Sequence, residues 1–260
     1  MRKRCSAFCA LTLVCAFGAR ESHADEEGVH PDSKLVTGRI GAGAIVDSRY
    51  SGGAARQAFP VPLMSLEIGD FAYVDYWEAG IFFWSNPTKT VGLAAVATPR
   101  LGFSSSDGPH LGGMARRQPS IEAGLALDYG SDDAGVSLSY VHDITGTSHG
   151  GVVRLFGFKH FDFTKRFGVD GYAGVERLDA SVAGYYYGVG DGEATGSRPP
   201  YQPHAGTTMS AGLRFNYDFG RKSTFLFGYE PTRLGQDLAT SPIVETRMTS
   251  FFFFGYGVRL

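Results

Sequence analysis

At 260 residues, with 24 Lys and Arg against 26 Asp and Glu, the chain carries a formal charge of −2 and offers no basic footprint for nucleic acid. Beyond the N-terminal segment it has no run of about 18 or more apolar residues, which excludes an ordinary bundle of transmembrane helices. Its 36 glycines, 13% aromatics and mean hydropathy of −0.09 suit instead a set of strands of which only one face meets lipid.

The chain opens on Met1-Arg2-Lys3-Arg4, an apolar run from Ala7 to Phe17, and the small-residue pattern Ser22-His23-Ala24 before Asp25. This is the pattern of a secretory signal peptide over residues 1–24, with cleavage expected after Ala24. Cys5, Cys9 and Cys15 all fall inside it, so the remainder holds no thiol, disulfide or thiolate metal site. Cys15 follows Val14, where a lipoprotein signal needs a small residue, and no lipid anchor is expected. Removing the segment takes away Arg2, Lys3, Arg4, Arg20 and Glu21, four positive charges and one negative, and moves the net charge from −2 to −5. A short polar periplasmic lead, residues 25–33, then precedes one domain over 34–260.

Alternation of apolar and polar residues dominates that domain. The first strand is expected over Leu35 to Val46, with Val36, Ile40, Ala42, Ala44 and Val46 on one face and Thr37, Arg39, Gly41 and Gly43 mainly on the other. Phe59 to Ile68 follows, and because Pro60 and Pro62 each lack a ladder donor, an irregular start is expected there. After a turn at Gly69-Asp70, the apolar run from Phe71 to Trp84 is divided into two short strands reversing near Tyr76-Trp77-Glu78. Only that division puts every short turn on one side and the long loops, Ser104 to Pro119, Tyr185 to Gly206 and Gly235 to Thr246, on the other. The remaining strands read as Lys89 to Phe103, Pro119 to Tyr129, Gly135 to Asp143, Gly150 to Asp162, Phe167 to Val182, Thr207 to Phe219, Ser223 to Arg233 and a terminal strand.

The terminal strand places Met248, Phe252, Phe254, Tyr256, Val258 and Leu260 outward, and Phe251, Phe253, Gly255, Gly257 and Arg259 inward. An apolar edge of this kind aggregates unless paired, and closure onto the first strand removes it. It resembles the C-terminal insertion signal of outer-membrane barrels, with Leu260 where most have Phe. The expected fold is therefore all-β: a transmembrane antiparallel up-and-down barrel of about twelve strands, with ten as the alternative count, in the outer membrane of a Gram-negative cell. Lipid and lipopolysaccharide would surround it.

Inward parity collects Arg100, Glu122, Asp128, Arg154, Asp170, Glu176, Arg214, Glu230 and Arg259 in the lumen. Two readings stand: cross-strand pairing that fills a narrow barrel, or the lining of a small aqueous path. The glycine- and proline-rich loop around residue 195 is expected to be mobile. Tyr76-Trp77, Phe82-Phe83-Trp84 and Tyr185-Tyr186-Tyr187 read as interfacial girdles.

Asp132-Asp133 and His142-Asp143 superficially suggest the acid-base site of an outer-membrane protease, but the topology sets the pairs about a membrane thickness apart. Ser139 and His142 lie on opposite parities, against a lipase. GRIGAG (Gly38 to Gly43) and Gly188 to Gly192 read as barrel glycines and a turn, not phosphate loops. No catalytic, cofactor-binding or metal residue is assigned, no cofactor is expected, and the chain is read as no enzyme.

Five strings carry a family resemblance: Arg49-Tyr50-Ser51-Gly52, Phe59-Pro60-Val61-Pro62, Glu122-Ala123-Gly124-Leu125, Tyr185 to Val189 (YYYGV), and Ser241-Pro242-Ile243-Val244. In this order, across Gly38 to Leu260, the chain resembles the MipA/OmpV family of MltA-interacting proteins. That resemblance implies an outer-membrane scaffold joining a lytic transglycosylase to a penicillin-binding protein. Relatives linked to osmotic response or adhesion leave two alternatives: a narrow channel for small polar solutes or ions, and surface recognition through the extracellular loops. The resemblance supplies no catalytic residue.

Overall fold

The computed structural model describes residues 35–131 and 133–260; the signal peptide, its cleavage site and the polar lead lie outside the described residues. Twelve strands are present among them: β1 (Val36–Ser48), β2 (Arg56–Ile68), β3 (Ala72–Asp75), β4 (Glu78–Ser85), β5 (Val91–Arg100), β6 (Ser120–Gly130), β7 (Ala134–Asp143), β8 (Gly151–Thr164), β9 (Phe167–Leu178), β10 (Gly206–Phe219), β11 (Ser223–Leu234) and β12 (Met248–Arg259). Two helices, α1 (Ala180–Tyr187) and α2 (Gln236–Ala239), lie in the outer loops. Each strand pairs antiparallel with its neighbour in sequence, and β1 pairs with β12 from Arg39↔Arg259 to Val46↔Phe252, closing the barrel.

The alternation sets the two faces. Phe254 is 62% exposed while Phe253, one residue back, is 1% exposed. On β10, Met209, Leu213, Tyr217 and Phe219 point outward while Thr208 and Arg214 are buried inside. The outward belt replaces water contact with lipid contact, and closure pairs the backbone groups that hydrocarbon could not satisfy.

Two strand expectations need correction. β2 begins at Arg56 and runs in unbroken register with β1 through both prolines, Ala44↔Pro60 and Ala42↔Pro62. A proline cannot donate, so both must sit at positions whose N–H would point away from β1, where its absence costs the β1–β2 ladder nothing. β9 stops at Leu178, not Val182, because the Asp179 carboxylate accepts from the Val182 amide at 2.9 Å and starts α1.

The strand wall tolerates little at its closest seams. A Cβ on Gly124 would lie 1.9 Å from the Tyr140 carbonyl oxygen and 2.7 Å from Val141 Cα, both backbone atoms of β7. Gly124→Val should therefore force β6 off β7 and sharply reduce the fast-migrating folded band on an unheated gel. A wild-type proportion of that band would show that the seam can widen without loss of closure.

Candidate functional site

The inward side chains form layers, and the outermost is a closed ring of charge. Arg100 on β5, Glu122 on β6, Arg154 on β8 and Glu176 on β9 are all buried. Arg100 Nε donates to Glu122 Oε1 at 2.5 Å, and its Nη2 reaches Glu176 Oε1 at 3.1 Å. Arg154 Nε donates to Glu176 Oε1 at 2.9 Å, and Arg154 Nη2 closes the circuit on Glu122. Two guanidiniums and two carboxylates thus alternate, so the ring is neutral. The Arg100–Glu176 bond spans strands that are not neighbours and crosses the lumen. The cost of removing these four charges from water is offset only because each faces opposite charge on two sides.

A cap sits on the ring. In α1, Val182, Ala183, Tyr186 and Tyr187 are buried, and Arg100 lies 5.8 Å from the Tyr186 ring centroid. The Tyr187 hydroxyl meets Ser51 Oγ at 2.6 Å, and Ser241 Oγ donates to the Tyr187 carbonyl at 2.6 Å. Tyr50, in the first outer loop, donates to the Ile243 carbonyl at 2.8 Å and bonds Glu245 at 2.7 Å, and burial with that neighbouring carboxylate pushes its phenol up. The apolar part of the cap joins Leu111, Met114, Val189, Leu234, Leu238 and Ile243 from three separate segments.

The loop expected to be mobile is built into this cap. Arg198 donates to the carbonyls of Glu193, His110 and Gly112, and Val189 pairs with Tyr201. Arg117 grips Glu193 through Nη1 at 2.8 Å and Nη2 at 2.7 Å and also holds the Tyr185 carbonyl. The Arg117 guanidinium holds the Glu193 carboxyl down at about 2. Two arginines thereby satisfy loop carbonyls that lie outside the strand ladders. Tyr186 and Tyr187 are cap residues, not girdle residues. Burial moves the Tyr186 phenol to about 12.

Beneath the ring lies an apolar layer of Ile45, Leu63, Phe156, Tyr172, Leu226 and Phe253. Tyr76 and Trp77, expected at the interface, fold inward onto it, and the Tyr76 ring meets Phe253 edge-on at 6.1 Å. β3 has only four residues, so its turn lies deep in the wall, below the outer interface. Phe83 and Trp84 do face outward.

The periplasmic half is polar: Arg214 bonds Asp170 at 2.6 Å, His160 bonds Asp170 at 2.5 Å and Asp162 at 3.0 Å, and Arg39 approaches Asp218 at 3.5 Å.

Inward parity placed seven of the nine expected lumenal charges in buried positions, and only Asp128 and Arg259 are half-buried. Glu230 is buried beside Thr232. Among the described residues, Asp133 and the His142-Asp143 pair lie at opposite ends of β7. Asp133 lies in the turn between β6 and β7, Asp132 is outside the described residues, and Asp143 organises the opposite end by accepting from Thr145, Ser148 and His149. Among the described residues no group of His, Cys, Asp and Glu is arranged to hold a metal. No local pattern singles out Arg117, Glu193, Arg198 or His160. Only the Asp179 cap position carried a local signal.

The sequence model described as MltA-interacting protein MipA matches residues 40–259. Outer membrane protein Omp26La of Vibrio anguillarum and outer membrane protein OmpV of Vibrio cholerae serotype O1 are each 32% identical over 75 residues, 29% of this chain and 29% of each relative. Those alignments thus span less than a third of the relatives' length. Among solved structures, the NanC porin covers 86% of this chain and all of its own at 9% identity and a TM-score of 0.42.

Two outcomes follow from the ring and cap. Arg154→Met leaves two carboxylates short of a partner in a dry interior and should destabilise the barrel by roughly 3–5 kcal/mol, read as an earlier urea midpoint; adding Glu122→Gln and Glu176→Gln should recover part of the loss. Because the folded Glu193 pKa is depressed, its stabilisation of the cap is complete above the ordinary carboxylate range near 4.5 and is lost as pH falls towards about 2. Hydrogen-exchange protection over residues 185–200, relative to the intrinsic rate at each pH, should fall in that window, and Arg117→Met should show the low protection already at pH 7.

Proposed function

The chain belongs to the MipA family of outer-membrane barrel proteins, and from that premise we propose that it is a sealed, non-enzymatic scaffold of the cell envelope. The carrying observation is the ring of Arg100, Glu122, Arg154 and Glu176 beneath the fitted cap. A conducting lumen needs room for hydrated solutes along its length. Here the outer mouth is filled by α1, the ring crosses the lumen, and an aromatic layer lies below it. With the interior taken up by packing, the surfaces left for function are the two ends.

The family description names an MltA interaction, and the partners we propose are a periplasmic lytic transglycosylase and, through it, a penicillin-binding protein. The surface they can reach is the periplasmic rim. There the turns after β8 and β10 are neighbours, joined by the Asp218 amide to the Arg166 carbonyl at 2.7 Å, and they expose Lys165, Arg166, Arg221 and Lys222. These short turns offer much less than the roughly 800 Å² per partner of a stable interface, so the contact is electrostatic and transient.

A photo-crosslinking residue at Arg221 or Lys165 should capture the transglycosylase in living cells, with capture falling as salt is raised in a reconstituted mixture. A crosslinker at outward Phe254 should not capture it. Capture absent at both rim positions while the barrel is folded in the outer membrane would rule out the rim as the docking surface.

A further inference from the structure

On one side of the barrel the hydrogen-bond ladder is interrupted. β3 covers only Ser65–Ile68 of β2, so among the described residues no strand pairs with β2 from Arg56 to Met64 on that side. Across the opening, β4 reaches β5 only as far as Ala97, so Thr98, Pro99 and Arg100 pair with β6 alone. The floor is the Tyr76-Trp77 turn, with the Tyr76 amide donating to the Met64 carbonyl at 2.7 Å and Tyr76 in the left-handed region at φ 54°.

Three strand prolines, Pro60, Pro62 and Pro99, face this gap. Residues along a strand alternate the side to which their N–H and C=O point. Met64 points its carbonyl at Tyr76, so Pro62 and Pro60, of the same parity, point theirs the same way. Pro99 sits opposite Ile121, whose carbonyl bonds Ile144 on the far side, so Pro99 also faces the opening. Both margins therefore present carbonyls without amides at three positions. A peptide strand added to this edge would lose a ladder bond at each proline, which disfavours strand addition as its use.

The surroundings fix the medium outside. Ala44 is paired to Pro60 on one side and to Phe254, 62% exposed, on the other. Ile121, opposite Pro99, also faces outward. The gap thus opens at the level of the apolar belt, where bare carbonyls are costly and no water stands ready to satisfy them. We infer that this side opening is a binding site for an outer-leaflet lipid. Its acyl chain lies between β2 and β5 over the Tyr76-Trp77 turn, and its hydroxyl or amide donors meet the carbonyls of Pro60, Pro62 and Pro99. The site does not depend on the scaffold reading, because a conducting barrel would carry it equally.

The two tryptophans make the test direct. Trp84→Phe leaves Trp77 as the only indole, and Trp77→Phe leaves outward Trp84 as a lipid-facing reference. Barrels purified from outer membranes are reconstituted in vesicles whose lipids carry brominated acyl chains, with folding checked by heat-modifiable migration. Trp77 emission should fall to an extent comparable with Trp84 and be little affected by acrylamide. Emission unchanged by brominated lipid means a wall closed by protein and overturns the site. Quenching by acrylamide but not by brominated lipid means a water-filled cleft and overturns it too. Trp84→Tyr serves as the equivalent background if the phenylalanine variant folds poorly.

Discussion

Backbone N–H and C=O groups that face hydrocarbon have no water to bond, and the form of this molecule follows from that constraint. It makes the chain a closed sheet, with β12 sealed onto β1, and it sets which half of each strand is apolar. A closed sheet of twelve strands also encloses a narrow interior. Charges carried there have little water to share and must satisfy one another. The Arg100–Glu122–Arg154–Glu176 ring meets that requirement and in doing so crosses the lumen.

The ring and the cap support each other. Arg100 carries the face of Tyr186 above it, while α1, held by Ser51, Ser241 and Asp179, keeps water from the ring. Low local dielectric strengthens the paired charges and raises the cost of exposing any one of them. The loops that close the mouth are accordingly tied at their backbones by Arg117 and Arg198. The side opening at β3 is a place where the wall departs from full pairing, and its three prolines remove donors at the margins.

Much of this was legible in the sequence, for a definite reason. A period of two is a local property, so the alternation on β10 and β12 identified both faces, and counting short turns gave twelve strands. The same parity put Arg100, Glu122, Arg154 and Glu176 inside. It could not say which of them meet, because contact across a lumen depends on stagger and curvature accumulated over several strands. The aromatic runs misled in two places. Tyr185-Tyr186-Tyr187 looks like a girdle until Asp179 is read as a helix cap. Tyr76-Trp77 looks like one until the four-residue length of β3 is used to place its turn deep in the wall. Both signals were present as residue types and lengths, but the loop arginines that bind carbonyls left no pattern at all.

The central claim is that the lumen is sealed by charge pairing and cap packing together, and single-channel recording in planar bilayers tests it most directly. The folded barrel should be electrically silent, and a barrel lacking residues 185–200 should remain silent as long as the ring is intact. Deleting that segment in an Arg154→Met background should produce discrete steps. Reproducible conductance from the intact barrel, altered in ion preference by charge reversal at Arg214 or Glu230, would contradict the claim and make the lumen a path.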